Sequence, residues 1–240
     1  MKSVLMSIKP KYCELIAAGK KTIEVRKTRP KIETPFKCYI YCTLPKERFS
    51  IGQGNYACSD NLYLCDNKVK FGEGFEDIGN ETTSLNGKVI GEFVCDEIYQ
   101  YTTCDAKDGV DISDGEMTRM SCLTKDEIMN YELSPGYFGV FGWHISDLVI
   151  YDKPKELSEF MVIDKDVLKE CPYRIRAYNN PDCTNGALLK GTYVCNNSFE
   201  PDFCRGQCGI ATKLLTRPPQ SWCYVVELSL IHISEPTRLD

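Results

Sequence analysis

The sequence predicts an α+β, mainly β protein: a mixed β-barrel with short flanking helices, followed by a loop-rich, cysteine-rich C-terminal extension. Several apolar runs of strand length and only two short helical patterns precede residue 154. Pro154 marks a boundary, after which residues 171–208 hold five cysteines among many Asn, Pro and Gly residues. We therefore expect a domain over 1–153, an extension over 154–227 that packs on it, and a separate tail over 228–240.

The N-terminal segment has the pattern of a strand followed by a helix. Residues 3–8 form a short apolar run of strand length. Pro10 suits the first turn of a helix, because its missing N–H is not needed there. Gly19 is placed to end that helix in a left-handed conformation. We expect the chain to turn there and to begin a second strand.

That second strand is predicted over residues 22–26, which alternate with a period of two. Ile23 and Val25 share one face of the strand, while Glu24 and Arg26 share the other. The apolar face is expected to enter a core. The two charged side chains are expected to lie side by side, close enough to pair.

The remaining elements follow from similar patterns. Residues 44–86 contain five glycines and are expected to form an irregular excursion. A short helix is predicted to begin after Thr124, where Glu127 completes a capping box. Further strands are expected at 36–43, 88–101, 137–151 and 221–227.

Basic residues are concentrated at the N-terminus of a chain that is acidic overall. Residues 1–31 contain nine Lys and Arg against two Glu, a balance of +7. Because the whole chain carries −5, the remaining residues carry −12. A basic region on an acidic protein favours a polyanion site confined to that region, although a solvated lysine-rich surface is the alternative.

The N-terminus lacks the features of a secretion signal. Lys9, Lys11 and Glu14 interrupt any apolar core in the first twenty residues, and no run reaches the length of a transmembrane helix. We therefore expect a cytoplasmic protein with no membrane partner. Its fourteen cysteines are expected to be mostly reduced.

Residues 19–26 (GKKTIEVR) match the pattern G-x-K-x-x-E-x-R at Gly19, Lys21, Glu24 and Arg26. Together with the preceding strand and helix, this motif makes the chain resemble the ASCH domain family over about residues 3–153. That family belongs to the PUA-like superfamily, whose members include RNA-binding modules. The resemblance implies a PUA-like barrel that binds RNA or a nucleotide through a basic cleft around the motif.

The residue types of the motif suit an anion or a nucleotide. Lys21 is a mobile point charge, and Arg26 offers a planar fork that can bond phosphate or a base edge. A purely structural Glu24–Arg26 pair, with Lys21 solvated, is the alternative. The candidate binding residues are Gly19, Lys20, Lys21, Glu24, Arg26, Lys9, Tyr137 and Trp143.

Aromatic residues enter this set because unpaired bases stack on them. The chain offers five aromatic candidates, most of which are expected to pack in the core. Only Tyr137 and Trp143 are assigned to the cleft, while Tyr12, Phe138 and Phe141 are interpreted as core residues.

The alternative function is an RNA-modifying hydrolase, with Lys21 and Glu24 as candidate catalytic residues. One small bacterial branch that resembles this family hydrolyses N4-acetylcytidine and has Lys where this chain has Lys21. It has Thr where this chain has Glu24, which counts against that activity. Its reaction also needs an acidic residue, for which Glu116 and Glu127 are candidates. A nuclease would need a general base, and His144 is the only histidine outside the tail.

The C-terminal region adds two further hypotheses. Cys183, Cys195, Cys204 and Cys208 can be combined into a structural zinc site, although only the last pair has the usual C-x₂₋₄-C spacing. Free thiols are the alternative. The extension can also serve as a protein-interaction module with an unknown partner. Residues 228–238 resemble the in-frame translation of a sequencing-library adapter, and no function is assigned to them.

Overall fold

The computed structural model of the protein describes eleven ranges of the chain. They contain three α-helices, one 3₁₀ turn and eighteen strands. The chain splits into two units, Met1–Glu156 with Pro218–Cys223, and Leu157–Arg217 with Tyr224–Asp240. The described ranges are 3–44, 49–52, 55–57, 61–65, 68–72, 83–101, 110–132, 139–163, 174–176, 193–195 and 212–227.

The helices are α1 (Pro10–Ala17), α2 (Asp114–Ser121) and α3 (Lys125–Glu132), and the 3₁₀ turn spans Leu157–Glu159. The first nine strands are β1 (Ser3–Ile8), β2 (Ile23–Arg26), β3 (Phe36–Cys42), β4 (Phe49–Gly52), β5 (Asn55–Ala57), β6 (Asn61–Cys65), β7 (Lys68–Gly72), β8 (Thr83–Ser84) and β9 (Val89–Cys95). The others are β10 (Ile98–Tyr101), β11 (Val110–Asp111), β12 (Val140–His144), β13 (Ser146–Lys155), β14 (Phe160–Ile163), β15 (Arg174–Arg176), β16 (Tyr193–Cys195), β17 (Thr212–Leu214) and β18 (Trp222–Glu227).

Two sheets form the frame of the first unit. One has the order β13-β9-β3-β1, in which β1 and β3 are parallel and the other neighbours are antiparallel. The second has the order β11-β10-β12-β2, with β12 antiparallel to both β10 and β2. Within the described residues these sheets are open rather than closed into a barrel. The strand-rich α+β architecture is confirmed.

The two faces of β2 have opposite character, as its alternation predicted. Ile23 and Val25 pack with Val140 of β12 and against Met117 of α2 and Ile128 of α3. Helices α2 and α3 therefore cover this apolar face of the second sheet. The charged residues of β2 occupy the other face.

In the second unit, β14 is antiparallel to β17 and to the C-terminal part of β18. Phe160 at the start of β14 is fully buried, and its carbonyl accepts a hydrogen bond of 2.8 Å from Leu215 N. Strands β15 and β16 form a separate antiparallel pair. Most of the cysteine-rich extension and the whole tail lie outside the described residues.

The helix ends follow the predicted signals. Gly19, just beyond α1, has φ +68°. At α3, Thr124 N donates to Glu127 Oε2 over 2.8 Å and Glu127 N donates to Thr124 Oγ1 over 3.2 Å, which is the predicted capping box.

None of the helices in the described ranges has the length and apolarity needed to span a bilayer.

The prediction of an irregular excursion over 44–86 is wrong, because the described residues there form five short strands. The clearest is the hairpin of β6 and β7, in which Leu62 faces Phe71 and Leu64 faces Val69. These residues alternate with polar ones, a period-two signal of a hairpin. The glycine content of the segment obscured it.

Two predicted strands are each divided in two. The run 88–101 becomes β9 and β10, and the run 137–151 contains β12 and β13. In both cases one half belongs to the first sheet and the other half to the second. A chain that passes from one sheet to the other must bend at the corner. The apolar pattern of the sequence continues across that corner, so each run was predicted as a single strand.

The cysteines of the first unit are mostly buried where the structure describes them. Cys13, Cys38, Cys42 and Cys95 are buried free thiols. Cys65 and Cys122 are only partly buried.

We expect Gly91→Ala to destabilise the first unit. A methyl group on Gly91 would collide with the backbone carbonyl of Val149, across the β9–β13 pairing. Overpacking of this kind costs about 1–3 kcal/mol. Chemical denaturation with the folded state followed by circular dichroism measures the loss.

Gly115→Ala is the matched control. Gly115 lies in α2, and a methyl group there meets nothing within 4 Å. Because Ala is the better helix former, this variant should be neutral or more stable by up to about 1 kcal/mol. Equal stability of the two variants would contradict the tight approach of β9 and β13.

Candidate functional site

The motif residues Lys21, Glu24 and Arg26 form a buried ion network. Lys21 Nζ lies 3.3 Å from Glu24 Oε2, and Arg26 Nη2 lies 3.0 Å from Glu24 Oε1. The three residues are only 2, 7 and 6% exposed, respectively. One carboxylate thus bridges two cations in a region from which water is largely excluded.

Lys21 also closes the C-terminal end of α2. Its ammonium donates to Ser121 O over 2.7 Å, and the next backbone N–H, that of Thr22, donates to Met120 O over 2.9 Å. The last carbonyls of a helix lack intrahelical partners and carry partial negative charge, so a cation there is stabilising. The motif lysine therefore fastens α2 to the start of β2.

Helix α2 was not predicted from the sequence, although a signal for it exists. Ser113 precedes the helix and Glu116 follows three residues later, which is the capping-box pattern. In the structure, Glu116 N donates to Ser113 Oγ over 3.3 Å, the first bond of a capping box, and Ser113 Oγ also donates to Glu116 Oε2 over 2.7 Å. Without α2, the partner of Lys21 could not be identified.

Arg26 joins three segments of the first unit. Its Nη2 donates to Ser7 O of β1 over 2.8 Å, and its Nη1 donates to Ser221 Oγ over 3.4 Å. Ser7 is itself tied to the 218–223 segment, since its N donates to Ser221 O over 2.9 Å and its Oγ donates to Pro219 O over 2.6 Å. The guanidinium therefore lies where β1, β2 and this late segment meet.

Among the described residues, the network leaves two of its buried atoms without a hydrogen bond, namely Arg26 Nε and Glu24 Oε2. Glu24 Oε2 is nevertheless within ion-pair distance of Lys21 Nζ, so its contact with the ammonium is electrostatic rather than a directed hydrogen bond. The carboxylate is thus held more tightly on its Arg26 side than on its Lys21 side.

Tyr12 of α1 lies beside this network, although its pattern predicts a core position. Its ring is half-buried, with Lys21 Nζ at 5.1 Å and Lys11 Nζ at 5.8 Å from the ring centroid. Burial raises the pKa of Tyr12, and the charges of Glu127 and Glu24 raise it further. Tyr12 is adjacent to buried Cys13 and lies at the border of the apolar stripe of α1. This border position is the sequence signal that could have predicted a partly exposed ring.

Two exposed lysines extend the positive charge around this ring. Lys9 and Lys11 are both exposed. The backbone N–H of Thr124 lowers the pKa of Glu127, and the charges of Lys11 and Lys9 lower it further, so these lysines lie near the start of α3. Basic side chains, an aromatic ring and one carboxylate therefore share a surface.

The other predicted binding residues have different positions. Gly19 and Lys20 are exposed in the turn after α1. Trp143 is fully buried opposite Glu24, with its ring centroid 5.6 Å from those of Phe36 and Trp222, so it packs as a core residue away from any surface ligand. Tyr137 lies outside the described residues.

His144 does not share a face with the motif carboxylate. It pairs in register with Ile23 on the face of the second sheet that the helices cover. Its Nδ1 lies 2.6 Å from Asp96 Oδ1, and its side chain is 28% exposed. Of the two acidic candidates for a hydrolase, Glu116 caps the start of α2 and Glu127 caps the start of α3.

The predicted zinc ligands cannot be placed. Cys183, Cys204 and Cys208 lie outside the described residues, as does the side chain of Cys195 in β16. Across the described ranges, no group of three or more His, Cys, Asp or Glu residues is arranged to hold a metal ion. The zinc site remains a prediction.

The first unit is strand-rich and α+β, and a lysine at the end of α2 precedes the strand that carries the buried carboxylate. Residues 6–117 match the family model of the ASCH domain. This match agrees with the resemblance that the G-x-K-x-x-E-x-R motif indicated.

Solved structures of similar proteins come from Zymomonas mobilis. The crystal structure of its ASCH protein is 16% identical, with a TM-score of 0.39, covering 71% of this chain and 81% of that one. A tyrosine-to-phenylalanine mutant of it is 15% identical, with a TM-score of 0.39 and coverage of 71% and 84%. A serine-to-alanine mutant is 17% identical, with a TM-score of 0.37 and coverage of 90% and 89%. No curated protein matches the chain.

We expect Glu24→Gln to destabilise the first unit strongly. The substitution keeps the shape of the side chain but leaves the ammonium of Lys21 and the guanidinium of Arg26 buried without a counter-charge. Removing one partner from a buried ionic network typically costs about 3–5 kcal/mol. Equilibrium unfolding in urea measures the difference from the wild type.

Asp114→Asn provides the comparison for an exposed pair. Asp114 Oδ2 lies 2.7 Å from Lys125 Nζ, and both side chains are more than half exposed, at 56% and 61%. Exposed pairs contribute little, so this variant should unfold almost as the wild type does. A comparable loss in both variants would argue against a special role of the buried carboxylate.

The Asp96–His144 pair predicts an acid-dependent contribution to stability. Burial raises the pKa of Asp96, but the hydrogen bond with His144, a backbone hydrogen bond, the charge of His144 and a hydrogen bond with Ser146 together outweigh it, so the pKa lies below its ordinary value of 3.8. A carboxyl with a lowered pKa stabilises the fold above the unfolded pKa and loses that effect as pH falls through the folded pKa. Asp96→Asn should therefore be less stable than the wild type near pH 6 and should approach it below about pH 3.

Urea unfolding at a series of pH values measures this effect. Asp152→Asn, at an exposed position of β13, is the control and should follow the wild type throughout. A constant gap between Asp96→Asn and the wild type across the whole acid range would show that the pKa of Asp96 is not shifted.

Proposed function

We propose that the protein binds RNA or a nucleotide on the surface formed by Lys9, Lys11 and Tyr12, here called the Tyr12 surface. The observation that carries this proposal is the half-buried ring of Tyr12, which has the ammonium groups of Lys21 and Lys11 at 5.1 and 5.8 Å from its centroid. Base-stacking rings combined with cations are the usual means of binding unpaired nucleotides.

The parts of the Tyr12 surface suit different parts of a nucleotide. The ring offers a flat, partly fixed face for a base. Its phenol hydroxyl can donate a hydrogen bond. Lys9 and Lys11 are exposed and can reach phosphate oxygens. Lys20 is also exposed, in the turn that precedes Lys21, and adds a further positive charge.

The buried motif residues support this surface from below. Lys21, Glu24 and Arg26 are nearly inaccessible, so their role in the proposal is to position neighbouring elements rather than to contact most of the ligand. Lys21 holds α2 against β2 and faces the ring of Tyr12 from within. A fixed, preorganised surface lowers the entropy lost on binding.

The same geometry favours binding over hydrolysis by Lys21. Its ammonium donates to Ser121 O and faces the carboxylate of Glu24. A nucleophile or base at Nζ would need a free lone pair and access to substrate. The buried, bonded ammonium supports neither.

We expect Lys11→Ala to weaken RNA binding in a salt-dependent way. Each lost phosphate contact should reduce the slope of log affinity against log salt by about 0.7 for a single strand. Fluorescence anisotropy with a labelled RNA oligonucleotide, from low to physiological salt, measures this slope. Lys9→Ala should act in the same direction.

Lys153→Ala is the matched control, because Lys153 is exposed on β13, the edge strand that β9 and β3 separate from β1. It should keep the affinity and the salt slope of the wild type. If the full-length protein binds neither RNA nor nucleotides at low salt, the proposed function is wrong. Equal losses for Lys153→Ala and Lys11→Ala would place the binding elsewhere.

A further inference from the structure

We infer that Trp143 and Arg26 form a second, covered site for a nucleobase, and that the indole of Trp222 occupies this site in the present structure. The inference rests on the proposed function, since it adds a regulated base site to the nucleotide binding proposed there. It follows from two buried hydrogen-bond donors without acceptors, and from residues 219–222, here called the cover segment.

Two side chains of the second sheet carry buried donors that bond nothing among the described residues. These donors are Trp143 Nε1 and Arg26 Nε, in residues that are 0 and 6% exposed, respectively. A donor that is removed from water and left without an acceptor is destabilising, and native structures contain few of them. A ligand that supplies two acceptors gives both donors a partner.

Trp143 and Arg26 lie on the same face of two neighbouring strands. Trp143 of β12 pairs in register with Glu24, and Arg26 of β2 pairs with Phe141. Phe141 lies two residues before Trp143, and side chains at that spacing share one face of a strand. The indole and the guanidinium are therefore diagonal neighbours on that face, where one small ligand can contact both.

Consecutive residues of the cover segment lie against these two side chains. Arg26 Nη1 donates to Ser221 Oγ over 3.4 Å. The ring of Trp222 lies 5.6 Å from that of Trp143, at an interplanar angle of 57°. Trp143 also contacts the ring of Phe36, which is buried, whereas Trp222 is only partly buried. Trp222 is therefore the outer ring, whose place the flat ring of a ligand can take.

The cover segment satisfies neither buried donor. Trp222 Nε1 donates to Thr28 Oγ1 over 3.1 Å. Ser7 donates from its N to Ser221 O over 2.9 Å and from its Oγ to Pro219 O over 2.6 Å. An indole nitrogen only donates, so the ring of Trp222 offers no acceptor. A nucleobase is equally flat but carries carbonyl and ring-nitrogen acceptors, which match the two donors.

The cover regulates the site by competition. The indole of Trp222 and a base cannot occupy the same place on Trp143, so the closed arrangement lowers the apparent affinity for a base. The indole is held by the hydroxyl of Thr28, which is exposed. Any change that loosens this hold should therefore strengthen base binding.

Tryptophan fluorescence of the full-length protein tests this inference, because Trp143 and Trp222 are its only tryptophans. Trp222→Ala removes the cover and leaves Trp143 as the sole indole fluorophore. We expect uridine monophosphate to quench its emission and to bind this variant roughly 5- to 100-fold more tightly than the wild type, which is the effect of one stacked ring. Trp222→Phe retains a covering ring and should bind as the wild type does. Ribose 5-phosphate, which lacks the base, should not quench.

Thr28→Val loosens the cover while Trp222 stays in place. The substitution keeps the shape of the side chain and removes the acceptor of Trp222 Nε1. Loss of one hydrogen bond from the closed arrangement should strengthen uridine monophosphate binding roughly 2- to 10-fold. Thr83→Val, at an exposed position of β8, is the matched control and should bind as the wild type does.

The outcomes distinguish this inference from the proposed function. Wild-type affinity in Trp222→Ala, or emission of Trp143 that the nucleotide does not quench, overturns the inference and leaves Trp222 as a structural cover only. If Trp222→Ala fails to fold, unchanged affinity in Thr28→Val overturns it. Weaker RNA binding by Lys11→Ala supports the proposed function in either case. Absence of all RNA and nucleotide binding, in the wild type and in Trp222→Ala alike, overturns both.

Discussion

The carboxylate of Glu24 holds the first unit together around its motif. It bridges Lys21 and Arg26, and each of these cations bonds a further element. Lys21 donates to the last turn of α2, and Arg26 donates to β1 and to the 218–223 segment. Segments far apart in sequence are thus joined through one buried side chain. Apolar packing alone would not fix this arrangement, because charged groups bond only in particular directions and at short distances.

The short strand β2 separates two environments. Its apolar residues enter the core under α2 and α3, whereas its charged residues form the network on the other face. Burying three charges costs several kcal/mol per ion before pairing. The cost is offset only when the geometry is good, and the contacts of 2.7 to 3.3 Å at Lys21, Glu24 and the Nη2 of Arg26 meet that condition. The network therefore specifies where β2 lies more than it adds to net stability.

Much of this site could be predicted from local patterns. The alternation of β2 placed Glu24 beside Arg26, Gly19 marked the end of α1, and the motif identified the domain family. Long-range partners could not be predicted, because nothing near Lys21 in sequence indicates Ser121 O or the helix that carries it. The position of Tyr12 was wrongly predicted for a related reason. Its place at the border of the apolar stripe of α1 indicates partial exposure, but the stripe does not show which charges lie beside the ring. The sheet corners between β9 and β10 and between β12 and β13 likewise depend on a sheet partner rather than on the residues at the bend.

The burial of the motif changes what its charges can do. A cation that is 2% exposed and bonded to a helix end acts on a ligand mainly through its field and through the elements that it positions. In the proposed function, contact with a polyanion comes from the exposed lysines Lys9 and Lys11 instead. Stability and the proposed binding would then be carried by different charges within the same basic region. The buried charges of Lys21, Glu24 and Arg26 respond little to salt, because screening acts weakly on ion pairs removed from water. The charges of the exposed lysines are screened over about 8–10 Å at ordinary ionic strength. Salt dependence can therefore separate the two roles that the basic N-terminal region combines.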